Sequence, residues 1–152
     1  MNDLSNLTQT FTTTFSALAA GTTTTYSTTG VTNYCIKGKA YSKAAVTNGA
    51  TPTIDAYTGK AFKAVPAGSR SVFVYGFNAA GAVVVIQGSI ETAFAPQFPI
   101  LIDDMSPIGY QIVNVSATGA AWTFGTSNNS GATGVTYSYQ SVMMLPDRPQ
   151  FS

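Results

Sequence analysis

The chain has 152 residues, which indicates a single domain, and only 9% of them are charged, against about 25% in an ordinary soluble domain. Its formal net charge is +1, and it contains no histidine and one cysteine, Cys35. These counts exclude an imidazole general base, an internal disulfide bond and a zinc site built from cysteine and histidine. The missing charge is replaced by 22 Thr and 14 Ser. A surface so poor in charge is typical of a protein partly buried in an assembly.

The amino-terminal region carries no recognisable export signal. No Lys or Arg precedes Lys37, whereas a secretory signal peptide needs a basic start and an apolar run. No window approaches the roughly 18 apolar residues of a membrane span. We therefore expect synthesis in the cytoplasm, no signal peptide and no membrane partner.

Residues 1–30 are predicted to form an amino-terminal arm or edge segment. Apolar residues recur there at spacings of 3, 4, 4 and 3, which is typical of an amphipathic helix. Five threonines within residues 3–18 favour a strand instead, so both conformations remain open. The stripe either covers the protein's own core or docks on a neighbouring subunit. Its members are Leu4, Leu7, Phe11, Phe15 and Leu18.

Residues 31–144 are predicted to form the β domain. Turn residues recur there every 8–12 positions between short β-rich runs, a pattern typical of a sandwich or barrel. The sequence thus predicts an all-β fold: a single antiparallel β-sandwich or barrel of jelly-roll type, with extended amino- and carboxyl-terminal arms. The predicted strands span residues 32–38, 40–46, 51–56, 60–65, 71–77, 82–89, 109–116, 120–125 and 134–143.

The clearest hairpin joins residues 71–77 to residues 82–88. Asn78 opens its four-residue loop, and Gly81 can adopt the positive φ that such a loop requires. The apolar run at residues 83–86 lacks alternation, so we expect this strand to be buried on both faces.

The charged residues are unevenly distributed. Residues 37–70 hold six cations and one carboxylate, a net charge of +5, whereas the rest of the chain holds one cation and five carboxylates, a net charge of −4. Three lysines that share one strand parity, Lys37, Lys39 and Lys43, predict a basic stripe. Nucleic acid is not an expected partner, because its binding needs many phosphate contacts. Complementary docking between unlike subunit faces accounts for the same separation of charge.

Residues 96–108 contain three prolines and the acidic pair Asp103 and Asp104, and they predict an ordered loop or sheet edge. Adjacent carboxylates on an extended chain point to opposite faces, which is poor geometry for a shared metal ion or an acid–base pair. The other carboxylates are scattered singly. The sequence therefore predicts no catalytic residues, no metal ligands and no cofactor, and thus no enzyme.

Residues 145–152 predict an extended carboxyl-terminal tail, because two prolines stiffen the chain. Its phenylalanine would be unfavourable in water, so we expect the tail to dock on this subunit or on the next. The interface candidates in the tail are Leu145, Pro146, Pro149 and Phe151.

Four segments share a further pattern: TPTIDAYTGKAF (51–62), SVFVYGFNAAGAVVVIQGSI (71–90), PIGYQIVNV (107–115) and LPDRP (145–149). Together they resemble small structural proteins of tailed bacteriophages, which decorate or cement the capsid or build head fibres. The resemblance implies a homo-oligomer, with a trimer as one option, that binds the major capsid protein or another virion protein. It also implies a place in the virion after synthesis in the host cytoplasm, and no catalytic residues.

The leading hypothesis is therefore a non-enzymatic virion structural protein that oligomerises and decorates or cements a bacteriophage capsid. Apolar arms and the addition of edge strands would join the subunits.

The alternative hypothesis is a carbohydrate-binding fibre or adhesin module that contacts host glycans. One tryptophan would supply a stacking platform, and the polar segment 125–134 is expected to be an exposed, mobile hairpin tip. In the strand that follows, Val135 and two tyrosines alternate with polar residues, which predicts one wet face. The glycan-binding candidates are Trp122, Asn128, Asn129, Tyr137 and Tyr139.

Overall fold

The computed structural model describes residues 9–14, 16–143 and 145. This part of the chain contains ten strands and no helix, which confirms the predicted all-β class, and accordingly none of it is a helix able to cross a membrane. The strands are β1 (Phe11–Thr12), β2 (Leu18–Ala20), β3 (Thr25–Thr28), β4 (Thr32–Ile36), β5 (Lys39–Lys43), β6 (Val46–Ala50), β7 (Arg70–Phe77), β8 (Val83–Glu91), β9 (Ser106–Val115) and β10 (Val135–Ser141).

The strands form three antiparallel sheets. The central sheet has the order β10-β9-β7-β8, and the two smaller sheets have the orders β1-β4-β5 and β2-β3-β6. Because β10 and β8 are the outer strands of the central sheet, the described strands do not close into a barrel. The barrel alternative is therefore wrong.

Strand β7 lies at the centre of the fold because both of its faces are buried. Seven of its eight residues are buried. Phe73, Tyr75 and Phe77 belong to the main apolar cluster, to which strands of all three sheets contribute. Val74 points the other way and joins a second cluster with Ile86.

The burial predicted for residues 83–86 is only partly correct. Val85 and Ile86 are buried, but Val83 and Val84 are half-buried, because β8 lies at the edge of the central sheet. The hairpin that joins β7 to β8 is confirmed. The Asn78 N–H donates to the Ala82 carbonyl at 3.0 Å, and Gly81 has φ +75°.

The described part of residues 1–30 forms strands, so the helical alternative is wrong there. β1 pairs with β4, and β3 pairs with both β2 and β6. The Leu18 N–H also donates to Ser141 Oγ at 2.7 Å, which ties β2 to the end of β10. These long-range partners favour the extended conformation that threonine prefers. Whether the two ends of the chain form extended arms stays a prediction.

Three predicted strands, at 51–56, 60–65 and 120–125, are wrong. Each run turns before a second rung of the ladder can form, and only two isolated bridges result, Ile54 with Ala61 and Val65 with Trp122. The loop predicted for 96–108 is confirmed as far as Met105, and β9 begins at the next residue.

Candidate functional site

The described members of the amino-terminal stripe lie within the fold. Leu18 is buried in the main cluster, and Phe11 is half-buried in β1, opposite Cys35 of β4. Leu18 therefore offers no surface to a neighbouring subunit. Leu4, Leu7 and Phe15 lie outside the described residues.

Leu145 is also covered by its own chain. It is 3% exposed and belongs to the second cluster with Val74, Ile86 and Met105. At Leu145 the chain therefore docks on its own subunit, which is one of the two alternatives that the sequence left open. Pro146, Pro149 and Phe151 lie outside the described residues.

The five glycan-binding candidates come together, but around backbone oxygens of the protein itself. Trp122 Nε1 donates to the Asn128 carbonyl at 2.9 Å, and the Tyr137 hydroxyl donates to the same oxygen at 2.7 Å. The Tyr139 hydroxyl donates to the Asn129 carbonyl at 3.2 Å. Segment 125–134 is thereby held against the central sheet.

This arrangement leaves no stacking platform for a sugar. Trp122 is 1% exposed, and its ring packs edge-on against Phe73 and Tyr137 at centroid distances of 5.5 and 6.1 Å. Asn129 is completely buried. The prediction of an exposed hairpin tip is therefore wrong at Asn129, because segment 125–134 folds over an aromatic core that the sequence pattern does not reveal.

A buried polar group lies beside these residues. Gln111 of β9 is completely buried and accepts a hydrogen bond from the Tyr75 hydroxyl at 2.9 Å through Oε1. Its Nε2 has no partner among the described residues, and the same holds for both side-chain polar atoms of Asn129. Buried polar atoms are normally satisfied, so this is the least well satisfied part of the core.

The buried tyrosines are unsuited to proton transfer at neutral pH. Burial raises the pKa of Tyr26 to about 12. Burial likewise raises the pKa values of Tyr75 and Tyr139 well above the ordinary value for tyrosine. These hydroxyls therefore remain protonated at neutral pH, and those of Tyr75 and Tyr139 donate hydrogen bonds.

The acidic pair is engaged in local contacts. Asp103 Oδ2 lies 3.8 Å from Lys37 Nζ, and both side chains are exposed. Asp104 Oδ1 accepts the Ala79 N–H at 3.1 Å. Among the described residues, no three His, Cys, Asp or Glu side chains lie close enough together to hold a metal ion.

The predicted lysine stripe is only partly correct. Lys37 lies in the turn after β4 with φ +49°, so it does not share the strand parity of the other two. Lys39 and Lys43 remain on one face of β5. Between them lies Tyr41, whose ring centroid is 5.6 Å from Lys39 Nζ.

Sequence reasoning missed how the outer edge of β8 is covered. Asp55 is 5% exposed, and its Oδ1 accepts the N–H groups of Tyr57 and Thr58 at 2.7 and 3.2 Å. Its Oδ2 accepts the Gln87 N–H of β8 at 3.1 Å. The carboxylate thus bends its own loop and joins that loop to the sheet. Asp55 followed by Gly59 is a sequence pattern that could have predicted this turn.

The loop that carries Asp55 forms one wall of a groove along β8. The other wall is residues 97–100, and the floor is residues 86–89 of β8. Two cavities of about 240 and 570 Å³ adjoin there, because four lining residues are common to both. We call this feature the β8 groove.

The lining of the β8 groove combines apolar and cationic side chains. Tyr57 and Ile100 are 58% and 54% exposed there. Lys60 and Lys63 supply positive charge. Asp55 is the one carboxylate among the lining residues, so two lysines and one carboxylate give the lining a net positive charge. Both Asp55 oxygens are engaged in hydrogen bonds with three backbone N–H groups.

The opposite edge of the central sheet is formed by β10. Strand β10 pairs with β9 over seven residues without a register shift, and no described strand pairs with its outer side. The Val142 N–H bonds to the Ile108 carbonyl on the β9 side. By alternation, the backbone groups of Tyr137 and Tyr139 therefore point outward.

Comparison of the chain with protein-family models, with curated proteins and with solved structures found no match.

Proposed function

We propose that the protein is a non-enzymatic structural protein of a bacteriophage virion, which self-associates and attaches to the capsid. The β10 edge carries the self-association part of the proposal. This strand, VTYSYQS, has no charged residue, no proline and no bulge. Charged residues, prolines and bulges normally protect an edge strand from pairing with another chain, so β10 lacks this protection. The other outer strand, β8, is covered by the Asp55 loop.

The proposed mechanism is the pairing of β10 with an edge strand of a second copy. Antiparallel strands joined in this way extend the sheet through backbone hydrogen bonds. The proposed architecture of each subunit is a β-sandwich, which is supported by the apolar cluster that residues of all three sheets share. Attachment to a capsid rests on the sequence resemblance and on the low content of charge.

Light scattering after size-exclusion chromatography tests the self-association. We expect the wild-type protein to be an oligomer, and the double variant Thr136→Lys/Ser138→Lys to be a monomer, because both exposed side chains would place charge on the β10 edge. Ser42→Lys, at an exposed position of the edge strand β5, is the matched control and should leave the oligomer intact. A wild-type monomer at every concentration, or an oligomeric double variant, would contradict the proposal.

Capsid attachment has its own test. Purified phage particles should retain the wild-type chain when they are sedimented, and electron microscopy should place it on the capsid at a symmetry-related copy number. Particles that carry none of the chain would contradict the virion assignment and leave the oligomer measurement unaffected.

A further inference from the structure

We propose that segment 146–152 of the same molecule binds in the β8 groove. The inference does not depend on the proposed virion function. It rests on where the chain reaches the groove, on the pattern of the segment and on the charge of the lining.

The described chain ends in an apolar cluster that extends to the groove. Leu145 is 3% exposed in the second apolar cluster. Ile86 belongs to the same cluster and Phe98 packs against it, and both of these residues line the β8 groove. A segment that continues from Leu145 therefore starts from an apolar cluster that extends to the groove, which gives it a high local concentration there.

The length and pattern of the segment suit the groove. At about 3.3 Å per residue in an extended chain, the six steps from Leu145 to Phe151 span about 20 Å. The floor formed by residues 86–89 is about 10 Å long at the rise of a strand. In an extended segment Asp147, Pro149 and Phe151 share one side, whereas Arg148 and the other polar residues share the opposite side.

The chemistry of that side is complementary to the lining. Its carboxylate is matched by Lys60 and Lys63, whose two positive charges outnumber Asp55, the one carboxylate among the lining residues. Its proline and phenylalanine are matched by the exposed apolar surface of Tyr57 and Ile100. The face with Arg148 would remain in water.

Paramagnetic relaxation in NMR spectra tests this placement. A nitroxide on Ser152→Cys, in a Cys35→Ser background, should broaden the amide signals of Thr58, Lys60 and Gly88. The amide of Gly38, in the turn between β4 and β5, is the internal reference and should keep its signal. A second sample mixes two proteins, one with the nitroxide but no ¹⁵N and one with ¹⁵N but no nitroxide. In this mixture the groove amides should show no broadening.

Substitutions in the segment and in the groove test whether the segment binds there or only lies near it. Phe151→Ser should reduce the broadening of the groove amides to the level of the reference, whereas Gln150→Ser, on the opposite side of the segment, should preserve it. Lys60→Glu/Lys63→Glu should also abolish the broadening, and Asp147→Lys should restore it in that background.

Broadening absent from the groove in the wild-type segment would overturn the proposal. So would broadening that occurs only in the mixed sample, since the occupant would then be the segment of a second copy. Neither result would change the oligomer measurement on the β10 variants.

Discussion

The carboxylate of Asp55 accepts the backbone N–H of Gln87 at 3.1 Å, across 32 positions of sequence, and occupies a place on the β8 edge that a neighbouring strand would otherwise take. The Gln87 side chain likewise takes the place of a neighbouring strand. Its Oε1 accepts the Lys63 N–H at 2.9 Å, and its Nε2 donates to the Lys63 carbonyl at 3.0 Å. Side chains thus finish one edge of the central sheet, whereas no described strand pairs with the outer side of β10.

Replacing Asp55 should destabilise the fold. Asp55→Asn keeps the shape but turns an amide donor toward one of the N–H groups that the carboxylate now accepts. We expect the free energy of unfolding to fall by about 1–3 kcal/mol in urea denaturation. Asp103→Asn, at the exposed ion pair with Lys37, is the control and should change it by no more than about 0.5 kcal/mol. Equal effects of the two variants would contradict a special role for Asp55.

Gly88 is required by the close approach of residue 97 to β8. A Cβ at Gly88 would collide with the Gln97 carbonyl and lie 2.5 Å from Val72 Cγ1. Gly88→Ala should therefore cost about 1–3 kcal/mol of stability, because the wall of the groove must shift. Thermal denaturation measures this loss. At Gly131 the nearest atom would lie 3.5 Å from an added Cβ, so Gly131→Ala is the matched control and should be nearly neutral.

The buried hydrogen bond between Tyr75 and Gln111 should show strong coupling. Tyr75→Phe leaves the Gln111 oxygen without its donor, and Gln111→Met leaves the Tyr75 hydroxyl without its acceptor, so each should cost about 1–3 kcal/mol. The double variant should cost less than the sum, with a coupling of about 0.5–3 kcal/mol. A double-mutant cycle in urea measures this coupling, and strict additivity would show that the pair contributes nothing.

The single tryptophan reports on the burial that excludes sugar stacking. We expect the native protein to emit at short wavelength and to resist quenching by acrylamide, and unfolding to remove both properties, because Trp122 is 1% exposed. Trp122→Ala should lower the free energy of unfolding by about 3–5 kcal/mol. Quenching of the native protein as efficient as that of the unfolded chain would contradict the buried placement.

Alkaline pH should destabilise the protein through its buried tyrosines. In the unfolded chain Tyr26 loses its proton near its ordinary pKa of 10.0, whereas burial raises the folded pKa to about 12. The stabilisation associated with the protonated hydroxyl is complete below pH 10.0 and is lost as the pH rises toward about 12. Tyr26→Phe should reduce this loss in denaturation curves recorded across that range. An unchanged pH dependence would show that Tyr26 does not contribute.

Periodicity in the sequence was sufficient where a strand has one consistent environment. Alternation at Val135, Tyr137 and Tyr139 predicted the half-exposed strand β10, and the Asn78 to Gly81 turn predicted the hairpin between β7 and β8. Local turn chemistry and side-chain alternation act over a few residues, so the sequence alone can express them.

The spacing of turn residues between short β-rich runs determined the all-β class, and the composition by itself excluded histidine chemistry. Only the tertiary structure decided that Trp122 is covered, that Asp55 caps the β8 edge and that no described strand pairs with the outer side of β10. Each of these facts depends on contacts between residues far apart in the chain, such as Asp55 with Gln87. Exposure of a ring or of a strand edge is set by what folds over it, and a local pattern carries no information about that partner.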